Sequence, residues 1–376
     1  EDQPLLVSFG LGSELWADVG DSIYIRSESN APVGVGRVSA GKKVWLSSEG
    51  AIIDALNTRY NNIEAADIRL IATRSVGEPI DGLGLYSTYN GIDLSKGINV
   101  ESYAGDVRLS TWGEGGHDMR IVSIEASRGI VDLNAAGGMV VDTANQLGRH
   151  GVIANRIKLS QAKSVGRQGN YFDVLLHGEG SKIAFGNVAQ DVYLHSEQNL
   201  DIGGDDSRVG NRLYVNADKS LNLSGKVSVA EGIEMIAKGD VHFNHTAHIS
   251  TSGHSSSVTI KSTKSDIDIV KGEIVTLGSV HLQAFEQVNI DGGVVEASGL
   301  VEVIGGEAGE DDEALSVLVT TAGGLNSKGD QINIEAKGDI EVMGHLLAGG
   351  KWKEDGGVEW LAKGGQVFIN ASGRAY

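Results

Sequence analysis

Apolar and polar residues alternate along most of this chain in one recurring frame. The frame reads apolar–x–apolar–x–small, then three or four turn residues, then apolar–x–apolar. Four copies are Ile98-Val100-Ser102…Val107-Leu109, Val192-Leu194-Ser196…Leu200-Ile202, Leu213-Val215-Ala217…Leu221-Leu223 and Ile233-Met235-Ala237…Val241-Phe243. Four more follow: Val258-Ile260-Ser262…Ile267-Ile269, Val280-Leu282-Ala284…Val288-Ile290, Ile332-Ile334-Ala336…Ile340-Val342 and Val358-Trp360-Ala362…Val367-Ile369. A period of two puts the apolar side chains on one side of an extended strand and the polar ones on the other. The small fifth residue marks a corner with no room for a large side chain. The polar clusters after it, such as Asp218-Lys219-Ser220 and Lys238-Gly239-Asp240, are turn chemistry.

Start-to-start spacings are 21 (192 to 213), 20 (213 to 233), 25 (233 to 258), 22 (258 to 280), 52 (280 to 332) and 26 (332 to 358). The step of 52 predicts at least one hidden degenerate coil. In the first half Val44-Leu46, Ile68-Leu70 and Ile92-Leu94 recur at intervals of 24 (44, 68, 92). Val107-Leu109, Val131-Leu133, Ile157-Leu159 and Ile183-Phe185 follow at intervals of 24, 26 and 26, in coils expected to be longer, with a third strand or an excursion.

One such unit is too small to enclose a core, whereas stacked units close it, each strand pairing in parallel with its equivalents above and below. The predicted fold is therefore all-β: a right-handed parallel β-helix, or β-solenoid, with coils of about 20–26 residues. The inward ladder is expected to contain Val192, Leu194, Leu213, Val215, Val241, Ile260, Ile267, Leu282, Ile290, Ile334 and Ile340. At about 4.8 Å per coil, roughly 15 coils would make a rod on the order of 70 Å long. Residues 1–35 read as irregular N-terminal coils or a junction. Residues 36–376 read as one continuous shaft with glycine-rich excursions near 110–119, 305–314 and 349–356. No six-residue period supports a left-handed solenoid, and no four-stranded blade supports a propeller.

Composition narrows the setting. Fifty-three glycines against three prolines fit many tight turns between ladders and leave few windows for a helix. Cysteine is absent, as suits a chain threaded through an envelope unfolded. The chain begins at Glu1, so a processed product or an internal segment is expected. No apolar run approaches the roughly 20 residues of a membrane helix, and no membrane insertion is expected. A net charge of −19 argues against nucleic acid as a partner and makes a divalent cation a plausible surface ligand.

The segment 62–86 (NIEAADIRLIATRSVGEPIDGLGLY) is echoed by 152–176 (VIANRIKLSQAKSVGRQGNYFDVLL). Each runs from an Ala-x-x-Ile-x-Leu strand to a Ser-Val-Gly turn, Ser75-Val76-Gly77 and Ser164-Val165-Gly166. This rhythm resembles the haemagglutinin-type repeats of large bacterial secreted adhesins, the filamentous-haemagglutinin-like proteins. The resemblance extends by pattern from about residue 36 onward. It implies a right-handed β-helix, export across the outer membrane, and work outside the cell as a surface or released filament. The expected partners are then other copies of the chain, or a host or biofilm glycan or protein. The amino-terminal secretion cap and a carboxy-terminal barrel of such proteins have no counterpart here, so the chain reads as a non-enzymatic shaft segment.

Candidate chemistry is sparse. Acidic residues in glycine-rich stretches, Asp201, Asp205 and Asp206 and then Glu310, Asp311 and Asp312, are the candidate calcium ligands, calcium favouring several oxygens on flexible loops. His242, His245 and His248 cannot all share one strand face, so solvent-facing histidines near a corner are expected. Trp112 and Trp352 lie in excursions where an exposed aromatic could bind a partner. Trp45 should face outward, and Trp360 should occupy a core position. The competing enzyme reading rests on words found in polygalacturonases, Arg156-Ile157-Lys158, Gly204-Asp205-Asp206 and Ser252-Gly253-His254. In that family the paired carboxylates come first, then the Gly-His word, then Arg-Ile-Lys. Here Arg-Ile-Lys comes first and the Asn-Thr-Asp word is missing, and glycoside hydrolysis needs two carboxylates at a defined separation across one groove.

Overall fold

The computed structural model describes residues 3–56, 60–77, 82–87, 97–112, 117–142, 150–178, 180–204, 206–306, 315–328, 331–352, 358–360, 365–371 and 374–376. The fold is an all-β parallel solenoid, with no helix among the described residues. The chain divides into two compact units, Glu1–His195 and Ser196–Tyr376.

In the second unit each coil has three strands, one on each of three faces. The first face stacks Arg212–Ala217, Gly232–Ala237, Ser257–Ser262, Ser279–Ala284, Val301–Gly305, Gln331–Ala336 and Gln366–Ala371, all parallel. The second runs from Leu200–Ile202 through Val241–Phe243 and Val288–Asp291 to Asp339–Val342. The third runs from Ser207–Val209 through His248–Thr251 and Val294–Ala297 to His345–Ala348. Identical frame positions align, so Val215, Met235, Ile260, Leu282, Val303, Ile334 and Ile369 form one file. All eleven expected ladder residues are buried, none more than 2% exposed.

The third face is the part that a two-strand frame does not contain. Its inward pairs are Val227/Val229, Ile249/Thr251, Ile274/Thr276, Val295/Ala297 and Leu325/Ser327. In most of them the second inward residue is a hydroxyl or an alanine, which hides the apolar alternation. The hidden coil in the step of 52 is the rung Val301-x-Val303, which splits it into 21 (280 to 301) and 31 (301 to 332). The last copy of the frame is displaced. Val358–Trp360, including Trp360, pairs antiparallel with Gly350–Trp352 outside the ladders. Val367-x-Ile369, not Val358-x-Trp360, takes the next first-face rung. Its strand has a small residue, Ala371, at the fifth position and can therefore make the corner.

The first unit follows the same rule less regularly. Leu5–Val7, Ser22–Ser27, Lys43–Ser48, Asp67–Ala72 and Ile98–Ser102 stack in parallel. The first 35 residues, expected to be irregular, thus contribute strands of the same winding. Ile23-x-Ile25-x-Ser27 is itself a copy of the frame. Met119–Asp142 is one extended stretch that wraps round, pairing with Ile98–Ser102 through 121–125 and with Val107–Thr111 through 131–135. Val107, Val131, Ile157 and Ile183 align as their spacing predicts. Ile92 and Leu94 lie outside the described residues, and the rung after Ile68 is Ile98.

Corners are closed by the small fifth residue. Where it is serine, its buried hydroxyl bonds the backbone of the turn: Ser48 Oγ accepts from Gly50 N–H at 3.0 Å. Ser102 Oγ accepts from Gly105 N–H at 3.2 Å and donates to the Arg74 carbonyl at 2.6 Å. Both Ser-Val-Gly words end on a glycine at positive φ, +79° at Gly77 and +61° at Gly166. A side chain at Gly77 would also meet the Arg108 carbonyl oxygen at 1.9 Å.

Candidate functional site

Of the expected ligand and platform residues, Asp201 and Trp112 hold partners within the winding. Asp201, in the strand Leu200–Ile202, accepts a hydrogen bond from Asn222 Nδ2 on the next rung. Asp206 is exposed, at a φ of 52°, and its carboxylate lies 3.8 Å from Arg208 Nη2. Asp205, Glu310, Asp311 and Asp312 lie outside the described residues. His245 is exposed, and His248 Nδ1 lies 2.7 Å from Glu273 Oε2 on the adjacent rung. Among the described residues no three His, Asp or Glu side chains are placed to share a metal ion. No helix among them is long and apolar enough to cross a membrane.

Trp112 is half-buried rather than exposed, because Asn61 clamps its backbone: Asn61 Nδ2 donates to the Trp112 carbonyl at 2.8 Å, and Trp112 N–H donates to Asn61 Oδ1 at 3.0 Å. Trp352 lies in the antiparallel pair of the 349–356 excursion. Trp45 is an outward, half-buried residue in register between Tyr24 and Arg69.

Two constellations were not legible as motifs. In the first unit, Asp173 Oδ1 lies 3.4 Å from His150 Nδ1 and 3.3 Å from His195 Nδ1. Asp173 is 4% exposed, and its backbone N–H donates to Oδ2 of the fully buried Asp142 at 2.7 Å. The imidazoles keep about a fifth of their surface exposed, 22% and 20%. Spacings of 23 (150 to 173) and 22 (173 to 195) are the only trace in the sequence: one residue on each of three successive coils.

The second constellation is a cleft of about 150 Å³ on the outer side of the first face of the second unit. It is lined by Arg212, Tyr214, Glu231, Gly232, Glu234 and Thr259, together with Ile233, Ser255 and Ser257. Two outward files build it by register, Arg212–Gly232–Ser257 and Tyr214–Glu234–Thr259. Gly232 contributes no side chain between Arg212 and Ser257, and that gap is the floor. Arg212 Nη1 donates to Tyr214 Oη at 3.3 Å, and its Nε lies 3.4 Å from Glu231 Oε2. The cleft presents an aromatic ring, two carboxylates, a guanidinium and three aliphatic hydroxyls, which makes it a hydrogen-bonding surface.

Fold and sites together define a parallel β-solenoid with polar outer files. Comparison with protein-family models, with curated proteins and with solved structures gives no match.

Proposed function

We propose that this chain is a non-enzymatic structural shaft segment of a large bacterial adhesin, of the filamentous-haemagglutinin-like kind, at the cell surface or secreted. The observation that carries the reading is the three-faced parallel stacking in the second unit, where identical inward positions align from rung to rung among the described residues. Such stacking shares backbone hydrogen bonds between neighbouring coils and excludes water from the files, so its purpose is extension and display. The absence of cysteine suits passage through an envelope, and a charge of −19 keeps a large exposed surface soluble.

The partners proposed are other copies of the chain, or a glycan or protein outside the cell. Antibody raised against the chain should label unpermeabilised cells of the source bacterium or its medium. Confinement to the cytoplasm would overturn the proposal. So would release of new reducing ends or unsaturated products when the chain is incubated with a panel of neutral and acidic polysaccharides, which is what a carbohydrate-active β-helix would give.

A further inference from the structure

We infer that the Arg212–Tyr214–Glu234 cleft is a binding subsite for a neutral hexopyranoside. Sugar binding here does not depend on the chain being a surface shaft. A pyranose offers a C–H face and a rim of vicinal hydroxyls. It is held by an aromatic ring against the one and by acceptors and donors around the other. The cleft supplies both: the Tyr214 ring beside the Gly232 gap, and carboxylates, a guanidinium and hydroxyls at its edge. Its volume of about 150 Å³ accommodates about one ring, with the rest of a chain lying in solvent.

Charge decides the class of sugar. Glu231 and Glu234 face one guanidinium, Arg212, and Glu231 already lies 3.4 Å from it. An acidic sugar would meet a surplus of carboxylate, and like charges in contact disfavour binding. A neutral ring instead satisfies the carboxylates, which accept from vicinal hydroxyls.

Saturation-transfer NMR on the whole chain tests this, with methyl glycosides of glucose, galactose, mannose and N-acetylglucosamine as probes and methyl glucuronoside as the acidic comparison. At least one neutral glycoside should bind, with Kd in roughly the millimolar range expected of a single shallow subsite. Gly232→Leu fills the floor and should abolish the signal; the nearest atom to a Cβ there is the Ser257 carbonyl oxygen, at 3.2 Å. Tyr214→Ala and Glu234→Gln, both at outward positions, should each weaken binding by about tenfold while leaving the unfolding midpoint nearly unchanged. If Gly232→Leu does not fold, these two variants carry the test. The inference is overturned if no neutral glycoside binds, if binding is undiminished in the folded variants, or if the glucuronoside binds equally well.

Discussion

At the scale of single residues, the polar groups inside the winding matter as much as the apolar ones. Asn62 is 1% exposed and uses its side chain completely. Its Nδ2 donates to the Val35 carbonyl at 3.0 Å, the Gly36 carbonyl at 3.2 Å and Asp54 Oδ1 at 2.7 Å, while its Oδ1 accepts from Gly84 N–H at 3.0 Å. It thus ties three coils together at a corner. Asn62→Leu removes the acceptor of the Gly84 N–H and the donor to the Gly36 carbonyl, and a loss of about 3 kcal/mol of stability is expected in denaturant titration. The buried hydroxyls of Thr251, Ser256 and Thr276 form a smaller knot, with oxygens 2.6, 2.6 and 3.0 Å apart. Asn, Ser and Thr at repeated positions read in the sequence as internal polar ladders; in the structure these residues close the turns.

At the scale of the strand, position in the stack decides what a substitution costs. Ile334 and Ile369 are register partners in one file, two residues of the same type in strands of the same frame. Ile334 is covered on both sides and fully buried, whereas Ile369 is 45% exposed on the final rung. Ile334→Asp buries a charge with no partner and should cost about 4 kcal/mol or more, enough to unfold the neighbouring coils. Ile369→Asp places its carboxylate partly in water and should shift the thermal midpoint far less. Circular-dichroism melts of the two variants compare them directly, and equal losses would mean that the file has been assigned wrongly.

At the scale of the whole molecule, the net charge of −19 and the perturbed carboxylates set the response to pH. Asp266 is pushed above the usual carboxylate range by burial first, and then by the neighbouring Glu286, Asp268 and Asp240, against the hydrogen bond from Gln287 N–H that lowers it. The folded state therefore holds this proton more tightly than the unfolded one. Its contribution is fully present below the ordinary unfolded value and is lost as pH rises through the raised folded value. Asp339 behaves in the opposite sense. The backbone N–H of Arg374, at 2.7 Å, and then its guanidinium, at 2.9 Å, hold its carboxyl low, so the stability it gives is present above the ordinary 3.8 and lost as pH falls through the lowered folded value. Asp266→Asn keeps the acceptor for Gln287 N–H and should raise the thermal midpoint at pH 7, with the gain shrinking as pH falls toward about 4. A gain that is the same at every pH would rule out this cause.

The winding was legible in the sequence because stacking demands the same chemistry at the same place in every coil. An inward position must be apolar, a corner must be small, and a turn must be polar, so one frame repeats wherever two strands and their corner do. Ile23-x-Ile25-x-Ser27 and Val367-x-Ile369-x-Ala371 obey that frame even where the reading along the chain passed over or displaced them. Which rung follows which was decided only by the tertiary structure, since Ile68 is succeeded by Ile98 and Val280 by Val301 through turns of unequal length. The third face also needed coordinates, because threonine, serine and alanine serve there as inward residues. The sites were hidden for a simpler reason. His150, Asp173 and His195, like Arg212, Gly232 and Ser257, stand about one coil apart in sequence and become neighbours only when parallel register brings successive coils together.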